Sequence, residues 1–258
     1  MKLLIVNPNS SRHITEAIQE HLSEDVLALF ESVTFFTGPH ESPAQISGTK
    51  TSVQSCKACL PLLLKRVPLD GGSAGSSQDG SGEVFYFESF DAVVVACFSD
   101  HPLVHELTKR TEQSTPVVSI LEGALNYAVS LGKPFSIITS NEEWVQILNL
   151  SVPRVLKGYA GHRLWRGTVT SGLDVLQLHD TRNLRRIADV MRRENIERLK
   201  STVVILGCAG FSGLEPALLS HISPPPSERT IILLDSIVAT LKYVSARYDK
   251  ASLCAQTR

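Results

Sequence analysis

Two cysteines end similar apolar runs, and their position suggests proton-transfer chemistry. Cys97 follows the run in VVVACFSD, and Cys208 follows the run in VVILGCAG. Runs of β-branched and small apolar residues predict buried strands, so each thiol is expected at the carboxyl end of a strand. A thiol placed there, before a helix N-terminus, is expected to have a pKa lowered from about 8.5 towards neutrality. Both cysteines are therefore candidates for acid–base chemistry.

Two thiols on opposite faces of a carbon acid could invert its configuration. A thiolate on one face removes the proton while the thiol on the other face supplies a new one, and groups with a pKa near the working pH do this best. Backbone N–H groups of the same turns could hold the enolate-like oxygen that develops. The alternative is structural, because cysteine is among the residue types most often buried. The matching positions of Cys97 and Cys208 in two similar parts of the chain favour the catalytic interpretation.

The elements that would position these thiols follow an α/β pattern, because short apolar runs alternate with segments of helical period. Strands are expected near 2–6, 33–37, 91–96, 116–120, 135–139, 164–169, 202–206 and 230–234. Helices are expected near 11–22, 49–65, 102–111, 121–131, 142–150, 180–200, 212–221 and 235–248.

An internal similarity indicates two lobes. MKLLIVNPNSS and KPFSIITSNEE share one layout, a strand that enters a polar turn and then a helix, and each would open one lobe. Ligands of parallel α/β sheets bind beyond the carboxyl ends of the strands. Both thiols and both polar turns are therefore expected to face one cleft between the lobes.

Four motifs, in order, resemble the aspartate/glutamate/hydantoin racemase superfamily, and within it the hydantoin and allantoin racemase branch with its fungal relatives. They are IVNPNSS, TGPHESPAQISG, ACFSDHP and LGCAGFSGLE. The resemblance implies an α/β fold of two similar lobes, each a mainly parallel sheet flanked by helices. The lobes would be related by a pseudo-twofold axis, with the active-site cleft between them. The chain would be a single racemase unit over 1–258, with approximate lobes at 1–115 plus 225–258 and at 116–224.

The same resemblance implies a set of site residues. Cys97 and Cys208 would be the acid–base pair of a racemase that uses no cofactor and no metal. Substrate contacts would come from residues beside the cysteines and in nearby loops and turns, namely Asn9, Ile46, Ser99, Thr139 and Ala209. The resemblance further implies a small-molecule substrate and a homo-oligomer.

The residue types of the motifs favour an uncharged substrate. The site motifs carry amide and hydroxyl groups, and neither the two cysteine motifs nor NPNSS contains an Arg or Lys. Carboxylate recognition usually recruits Arg. A 5-substituted hydantoin, or a related ureide such as allantoin, therefore fits better than a dicarboxylic amino acid. Bacterial members often carry Gly or Asp after the Cys-Phe pair, where this chain has Ser99, Asp100 and His101, so the choice of ring stays open. Two other functions also stay open: a decarboxylase or cis–trans isomerase of a small diacid on the same fold, and a non-catalytic ureide-binding protein.

Composition indicates a folded protein without a nucleic-acid or membrane partner. Apolar residues make up 43% of the 258 residues, charged residues 20%, and the formal net charge is −1, so no global field favours a polyanion. The first apolar run is too short for a signal-peptide core, and no run approaches the roughly 20 residues of a membrane span. Five cysteines without an export signal predict reduced thiols in the cytoplasm. The low-complexity stretch at 71–83 is expected to be a flexible, peripheral insertion.

Other clusters of chemically active residues are expected to be structural. Cys56 and Cys59 form a C-x-x-C, but no second pair stands at zinc-site spacing and the motif lies in a helical segment. His101 and His105 lie one helical turn apart without an obvious third ligand. The arginine-rich run at 181–200 contains interleaved glutamates, which predicts a solvated amphipathic helix.

Overall fold

The computed structural model describes residues 1–68, 83–156, 160–178, 180–222 and 230–248. Within those ranges the strands are β1 (Lys2–Asn7), β2 (Ser32–Thr37), β3 (Arg66–Pro68), β4 (Glu83–Phe85), β5 (Ala92–Val95), β6 (Val117–Ser119), β7 (Phe135–Thr139), β8 (Trp165–Thr170), β9 (Val203–Leu206) and β10 (Ile232–Asp235). The α-helices are α1 (Arg12–His21), α2 (Glu24–Leu27), α3 (Thr49–Leu63), α4 (Pro102–Arg110), α5 (Ile120–Ser130), α6 (Glu142–Val155), α7 (Leu184–Val190), α8 (Glu215–His221) and α9 (Ser236–Tyr248). The insertion expected at 71–83 lies outside the described residues except for Glu83. No helix in the described ranges is long and apolar enough to cross a membrane.

Two four-stranded parallel sheets have the same strand order. The first runs β2-β1-β5-β6 and the second runs β8-β7-β9-β10, with every pairing parallel. The inner strands β5, β7 and β9 are buried along their whole length, and strands covered on both faces need nearly continuous apolar sequence. The predicted α/β fold, with two parallel sheets flanked by helices, is confirmed.

Strand pairing corrects the predicted lobe boundaries. β6 pairs with β5, with Val118 opposite Val94, so this strand belongs to the first sheet rather than to the second. β10 pairs with β9, with Leu234 opposite Ile205, so it belongs to the second sheet rather than to the first. In each sheet, the last strand along the chain therefore pairs with the strand that precedes the cysteine. The local apolar pattern predicts that these strands exist, but it does not encode which neighbour they pair with.

The helices that follow these last strands, α5 and α9, pack against each other and join the two lobes. Gly123 permits the close approach, because a Cβ atom at this position would lie 2.4 Å from Thr240 Cγ2. Thr240 Oγ1 donates to Ile120 O across the contact at 3.3 Å and to Ser236 O within α9 at 2.7 Å. The two sheets therefore share a helix–helix interface.

Local differences from the sequence prediction occur where polar contacts interrupt regular helices. The helix expected at 180–200 consists of a 3-10 turn, α7 and a π-helical segment, Met191–Arg198. In that segment the buried Asn195 donates to Ser136 Oγ at 2.9 Å and to Ile137 O at 3.1 Å on β7.

The helix expected at 212–221 begins only at Glu215. The short antiparallel hairpin of β3 and β4, whose strands have three residues each, was not predicted.

Candidate active site

One small cavity lies at the carboxyl ends of β1, β5, β7 and β9, between the two sheets. It is lined by Asn9, Ile14, Ile46, Ala96, Cys97, Phe98, Thr139, Ser140, Trp144, Val175, Gly207, Cys208 and Ala209. Six of the seven residues proposed from the sequence are in this lining, and the seventh, Ser99, contacts Cys97. The cavity volume is about 30 Å³, close to the volume of one water molecule in the liquid, which is about 30 Å³.

Cys97 reaches the cavity from the first sheet. It lies just beyond β5, is only 9% exposed, and its Sγ is 3.3 Å from Ser99 Oγ. The pKa of Cys97 is raised to about 12, mainly by burial and in part by the nearby Cys208, whereas the hydrogen bond with Ser99 acts in the lowering direction. The electrostatic effect of one thiol on the other is consistent with their positions around the same small cavity.

Cys208 reaches the cavity from the second sheet, just beyond β9. Its Sγ accepts the Gly210 N–H at 3.4 Å. Burial raises the pKa of Cys208 to about 11, and the Gly210 N–H opposes this by stabilising the thiolate. The preceding residue must be small, because a Cβ atom on Gly207 would lie 2.5 Å from Ile137 Cγ2 in β7.

The expectation that helix N-termini lower both thiol pKa values is wrong for this structure. The α-helix after Cys97 begins only at Pro102, and the one after Cys208 begins only at Glu215. The field of a helix terminus falls off within about one turn, so neither thiol receives its full effect. Desolvation outweighs the remaining hydrogen bonds, and both resting thiols are protonated at neutral pH.

The polar turn after β1 is held by a network of buried amides. Asn7 Nδ2 donates to Asn9 Oδ1 at 3.1 Å, to Ser11 O at 3.1 Å and to Thr15 Oγ1 at 2.9 Å. Asn9 Oδ1 also accepts the Ser11 N–H at 2.9 Å. The turn is also held by α3, where Ser55 Oγ and Cys59 Sγ donate to Pro8 O at 2.7 and 3.4 Å.

The corresponding turn after β7 contributes Thr139, Ser140 and Trp144. Thr139 Oγ1 donates to Gly207 O at 3.3 Å, which ties this turn to the one that carries Cys208. Ser140 is fully buried and lines the cavity, yet its Oγ has no hydrogen-bond partner among the described residues. An unpaired buried hydroxyl is costly, so Ser140 is a candidate to bind a ligand.

A roof segment, residues 38–48, covers the cavity with Ile46 and is tied to the opposite lobe. Asn141 Nδ2 donates to Ser47 O at 3.2 Å, and the N–H of Leu176 donates to Gln45 Oε1 at 3.4 Å. At the end of the roof segment, the N–H of Thr49 donates to Glu143 Oε1 at 3.2 Å. The roof segment therefore supplies one wall of the cavity and connects the two lobes beside it.

The other clusters named from the sequence lie outside the cavity lining. His101 accepts the Leu103 N–H at Nδ1 as the N-cap of α4, and burial lowers its pKa to about 4. His105 Nε2 lies 2.7 Å from Asp100 Oδ1 on the surface. Cys56 and Cys59 are buried free thiols in α3. Within the part of the chain that the structure describes, no three His, Cys, Asp or Glu residues form a group that could hold a metal ion.

Several lining residues were not predicted from the sequence, and the local signals that mark them differ. Ser140 directly follows Thr139 in the repeated strand-to-turn layout, so the internal similarity could have found it. Phe98 and Gly207 are neighbours of the cysteines. Val175 had no such signal, because it begins a short 3-10 turn after a stretch that folds back on the turn beyond β7. In that stretch the Ser171 N–H donates to Thr139 O, and the next two N–H groups donate to Ser140 O.

Comparison with known proteins defines the class. The sequence profile of the Asp/Glu/Hydantoin racemase family matches residues 3–244, so the chain belongs to this family and is an isomerase of the racemase class. Protein DCG1 of Saccharomyces cerevisiae is 43% identical over 222 residues, which cover 84% of this chain and 85% of that protein.

Two further comparisons connect the chain with the hydantoin and allantoin branch. A hydantoin racemase of Rhizobium meliloti is 25% identical over 251 residues, covering 95% of this chain and 88% of that protein. The structure of allantoin racemase from Klebsiella pneumoniae has a TM-score of 0.68 at 20% identity, covering 100% of this chain and 89% of that chain. The fold of this protein is therefore that of the two-lobed racemases.

Proposed function

We propose that the protein racemises a 5-substituted hydantoin or a related ureide such as allantoin, with Cys97 and Cys208 as the two acid–base groups and with no cofactor. The observation that carries the proposal is that the two thiols, from different sheets, line one cavity. The similarity in sequence to a hydantoin racemase and in fold to an allantoin racemase supports this substrate class.

The reaction is a proton exchange between two faces of the ring. The thiolate of Cys208 removes the proton from C5, and the electron pair of the C–H bond moves into the carbonyl at C4 to give an enolate. The Cys97 thiol then delivers its proton to the opposite face of C5, the enolate collapses to the carbonyl, and Cys97 is left as the thiolate. Cys208 has gained a proton and Cys97 has lost one. Conversion of the opposite enantiomer therefore starts with the Cys97 thiolate as the base.

The character of the cavity supports an uncharged substrate. Its lining combines amide, hydroxyl and thiol groups with apolar side chains and contains no Arg, Lys, Asp or Glu among the described residues. A dicarboxylate would have to lose its hydration without a cationic partner, which is unfavourable. A cyclic ureide has carbonyl and N–H groups that amides and hydroxyls can satisfy. The lining therefore favours a ureide over the small diacid of the alternative function.

The test is racemisation by single-cysteine variants. We expect Cys97→Ser and Cys208→Ser each to lower the racemisation rate of allantoin and 5-substituted hydantoins by at least about 10³-fold, because a hydroxyl has a far higher pKa than a thiol and is a poor base. Cys56→Ser is the matched control, since Cys56 is also a buried free thiol but lies in α3 outside the cavity lining. Chiral chromatography measures the rates, and circular dichroism checks folding. Wild-type racemisation by either cavity variant would disprove the assignment, and ureide binding without turnover would support the non-catalytic alternative.

A further inference from the structure

Asn7 does not line the cavity, yet its hydrogen bonds determine which atom of the Asn9 carboxamide faces the cavity. Asn7 is the last residue of β1 and is 1% exposed. Its side chain is enclosed by groups of the following turn and of α1, and one of them, Thr15 Oγ1, lies 2.7 Å from Thr37 Oγ1. Thus Asn7 links the end of the strand to the turn that carries Asn9.

The orientation of the Asn7 carboxamide follows from a partner that can only accept. A carboxamide oxygen and nitrogen are assigned from their hydrogen-bond partners. The backbone carbonyl of Ser11 lies 3.1 Å from the Asn7 side chain, so the atom facing it must be the donor, Nδ2. The same NH2 group faces Asn9 Oδ1, and the Asn7 Oδ1 accepts the Asn9 N–H at 3.3 Å.

The orientation of Asn9 follows from a partner that can only donate. The backbone N–H of Ser11 lies 2.9 Å from the Asn9 side chain, so the atom facing it must be the acceptor, Oδ1. With Oδ1 held by both Ser11 and Asn7, the Asn9 NH2 group is the free end of the amide. It has no acceptor among the described residues, and Asn9 lines the cavity.

We infer that Asn7 is a positioning residue that locks the Asn9 carboxamide so that its NH2 group, rather than its oxygen, faces the reacting carbonyl. This inference deepens the proposed function and rests on it. In the ground state the NH2 donates to a neutral ring carbonyl, and in the transition state to the same oxygen as negative charge develops on it. A donor fixed before the reaction stabilises that charge without reorganisation. A flipped amide would present an oxygen to the enolate and repel it.

The kinetic test is a double-mutant cycle. Asn9→Ala should lower kcat about 10²- to 10³-fold, the usual effect of removing one oxyanion donor. Asn7→Ala should lower kcat about 10- to 100-fold with KM changed less than about threefold, because the donor is present but misplaced. In the Asn9→Ala background, Asn7→Ala should change kcat less than about twofold, since residues that act through one another are not additive.

Thr15→Val provides the matched control. It removes another partner of Asn7 Nδ2 in the same buried network, preserves side-chain shape, and leaves the two hydrogen bonds to Asn9 Oδ1 in place. We expect it to lower the melting temperature while kcat stays within about twofold, because it removes the hydrogen bonds of Thr15 with Asn7 and Thr37 but none that holds Asn9. Equal losses of kcat from Asn7→Ala in both backgrounds, or a comparable loss from Thr15→Val, would overturn the positioning role.

A binding measurement separates this inference from the proposed function. Urazole is a planar analogue of hydantoin in which nitrogen replaces the carbon that loses its proton, and its anion places charge on the carbonyl oxygens. By calorimetry, Asn9→Ala and Asn7→Ala should each weaken urazole binding about tenfold, and the double variant should bind no more weakly than Asn9→Ala.

If the wild type binds urazole with this pattern but racemises no ureide, the proposed function fails and the positioning role stands. If the wild type racemises a ureide but the kinetic cycle is additive, the positioning role fails and the function stands; a wild type that neither racemises nor binds urazole overturns both.

Discussion

The two thiols have different hydrogen-bond partners, but burial raises the pKa of both. Cys208 accepts a backbone N–H and has a raised pKa of about 11, whereas Cys97 contacts a hydroxyl and has a raised pKa of about 12. Burial dominates both pKa values, and each thiol has one hydrogen-bond partner that stabilises its thiolate when it forms. Either thiol can therefore serve as the base while the other remains the proton donor.

A rising pH profile follows from these raised pKa values. Below both pKa values the reactive thiolate is a small fraction of the protein, and this fraction grows tenfold for each pH unit. We expect kcat/KM to rise with a slope near one in log units from pH 7 towards pH 10, because kcat/KM reports the free enzyme. Initial racemisation rates in buffers of constant ionic strength measure the profile. A pH-independent kcat/KM between pH 7 and 9 would contradict protonated resting thiols.

Ser140→Ala should have opposite effects on stability and activity. The unpaired Ser140 hydroxyl is buried at no evident benefit to the fold, so its removal should leave the melting temperature unchanged or raise it. If the hydroxyl binds the substrate, kcat/KM should fall about tenfold, the size of one hydrogen bond of about 1.4 kcal/mol. Ser201→Ala is the matched control, because Ser201 Oγ is also buried and unpaired but is not in the cavity lining. A loss of stability without loss of activity in Ser140→Ala would refute the binding role.

At the scale of single residues, the sequence predicted where the two cysteines lie but not the pKa values of their thiols. The end of an apolar run placed Cys97 and Cys208 correctly, because a buried strand must end where its apolar residues end. It could not predict their pKa values, because desolvation depends on Ile46, Trp144 and Val175, which reach the cavity from distant parts of the chain.

Among the elements, the roof segment is joined to the opposite lobe by hydrogen bonds at Gln45, Ser47 and, at its end, Thr49. Glu143→Ala removes the acceptor of the Thr49 N–H. We expect hydrogen exchange at residues 44–50 to become about 2- to 10-fold faster, the effect of one hydrogen bond of about 0.5–1.5 kcal/mol. Exchange is measured by mass spectrometry on the folded protein.

Glu142→Ala is the control for this prediction. Both glutamates are exposed and lie in the first turn of α6, so both variants lose the same interaction with the helix dipole. No hydrogen bond or ion pair joins Glu142 to the roof segment among the described residues. Equal acceleration in both variants would show that the helix terminus, rather than the contact with Thr49, controls the roof segment.

The elements themselves were predictable where a local pattern determines them. β7 was predicted with its observed bounds because FSIIT is apolar, β-branched and flanked by Pro134 and a polar turn. The π-helical segment at 191–198 was not predicted, because it accompanies the contacts of Asn195 with β7, a partner far away in sequence. The β3–β4 hairpin was missed because its strands are too short to show alternation.

For the whole molecule, an acidic group at the junction of the lobes links stability to pH. The pKa of Glu215 is raised to about 7, mainly by burial and in part by the nearby Asp235, while His21 of α1 acts in the opposite direction. Asp235 also accepts the Gly213 N–H at 3.3 Å and caps α9 through the Ile237 N–H at 2.7 Å. The cluster thus joins α1 of the first lobe to α8, β10 and α9.

The sign of this linkage is set by the raised pKa. The folded state favours the neutral Glu215 carboxyl, so its contribution to stability is complete below about pH 4.5 and is lost as pH rises through 7. Relative to Glu215→Gln, the wild type should lose about 1–2 kcal/mol of unfolding free energy between pH 5 and pH 8, after allowance for partial solvation of the side chain. Urea unfolding at both pH values measures this, and a difference that does not change with pH would rule out the linkage.

The duplicated architecture was predictable from the sequence, but its division was not. The repeated layout of MKLLIVNPNSS and KPFSIITSNEE corresponds to β1 and β7, which occupy equivalent positions in the two sheets. The boundary at 116 failed because the pairing of β6 and the packing of α5 on α9 are contacts between segments far apart in sequence. The homo-oligomer implied by the family resemblance stays a prediction.

The central claim is that the two thiols act on opposite faces of one carbon, and solvent exchange tests it most directly. Each pure enantiomer of a 5-substituted hydantoin is incubated in D₂O with Cys97→Ser or Cys208→Ser, and deuterium at C5 and the configuration are followed by NMR and chiral chromatography. We predict that each variant exchanges the C5 hydrogen of one enantiomer only, without inversion, and that the two variants select opposite enantiomers. Exchange of the same enantiomer by both variants, or continued inversion by either, would contradict the two-thiol account.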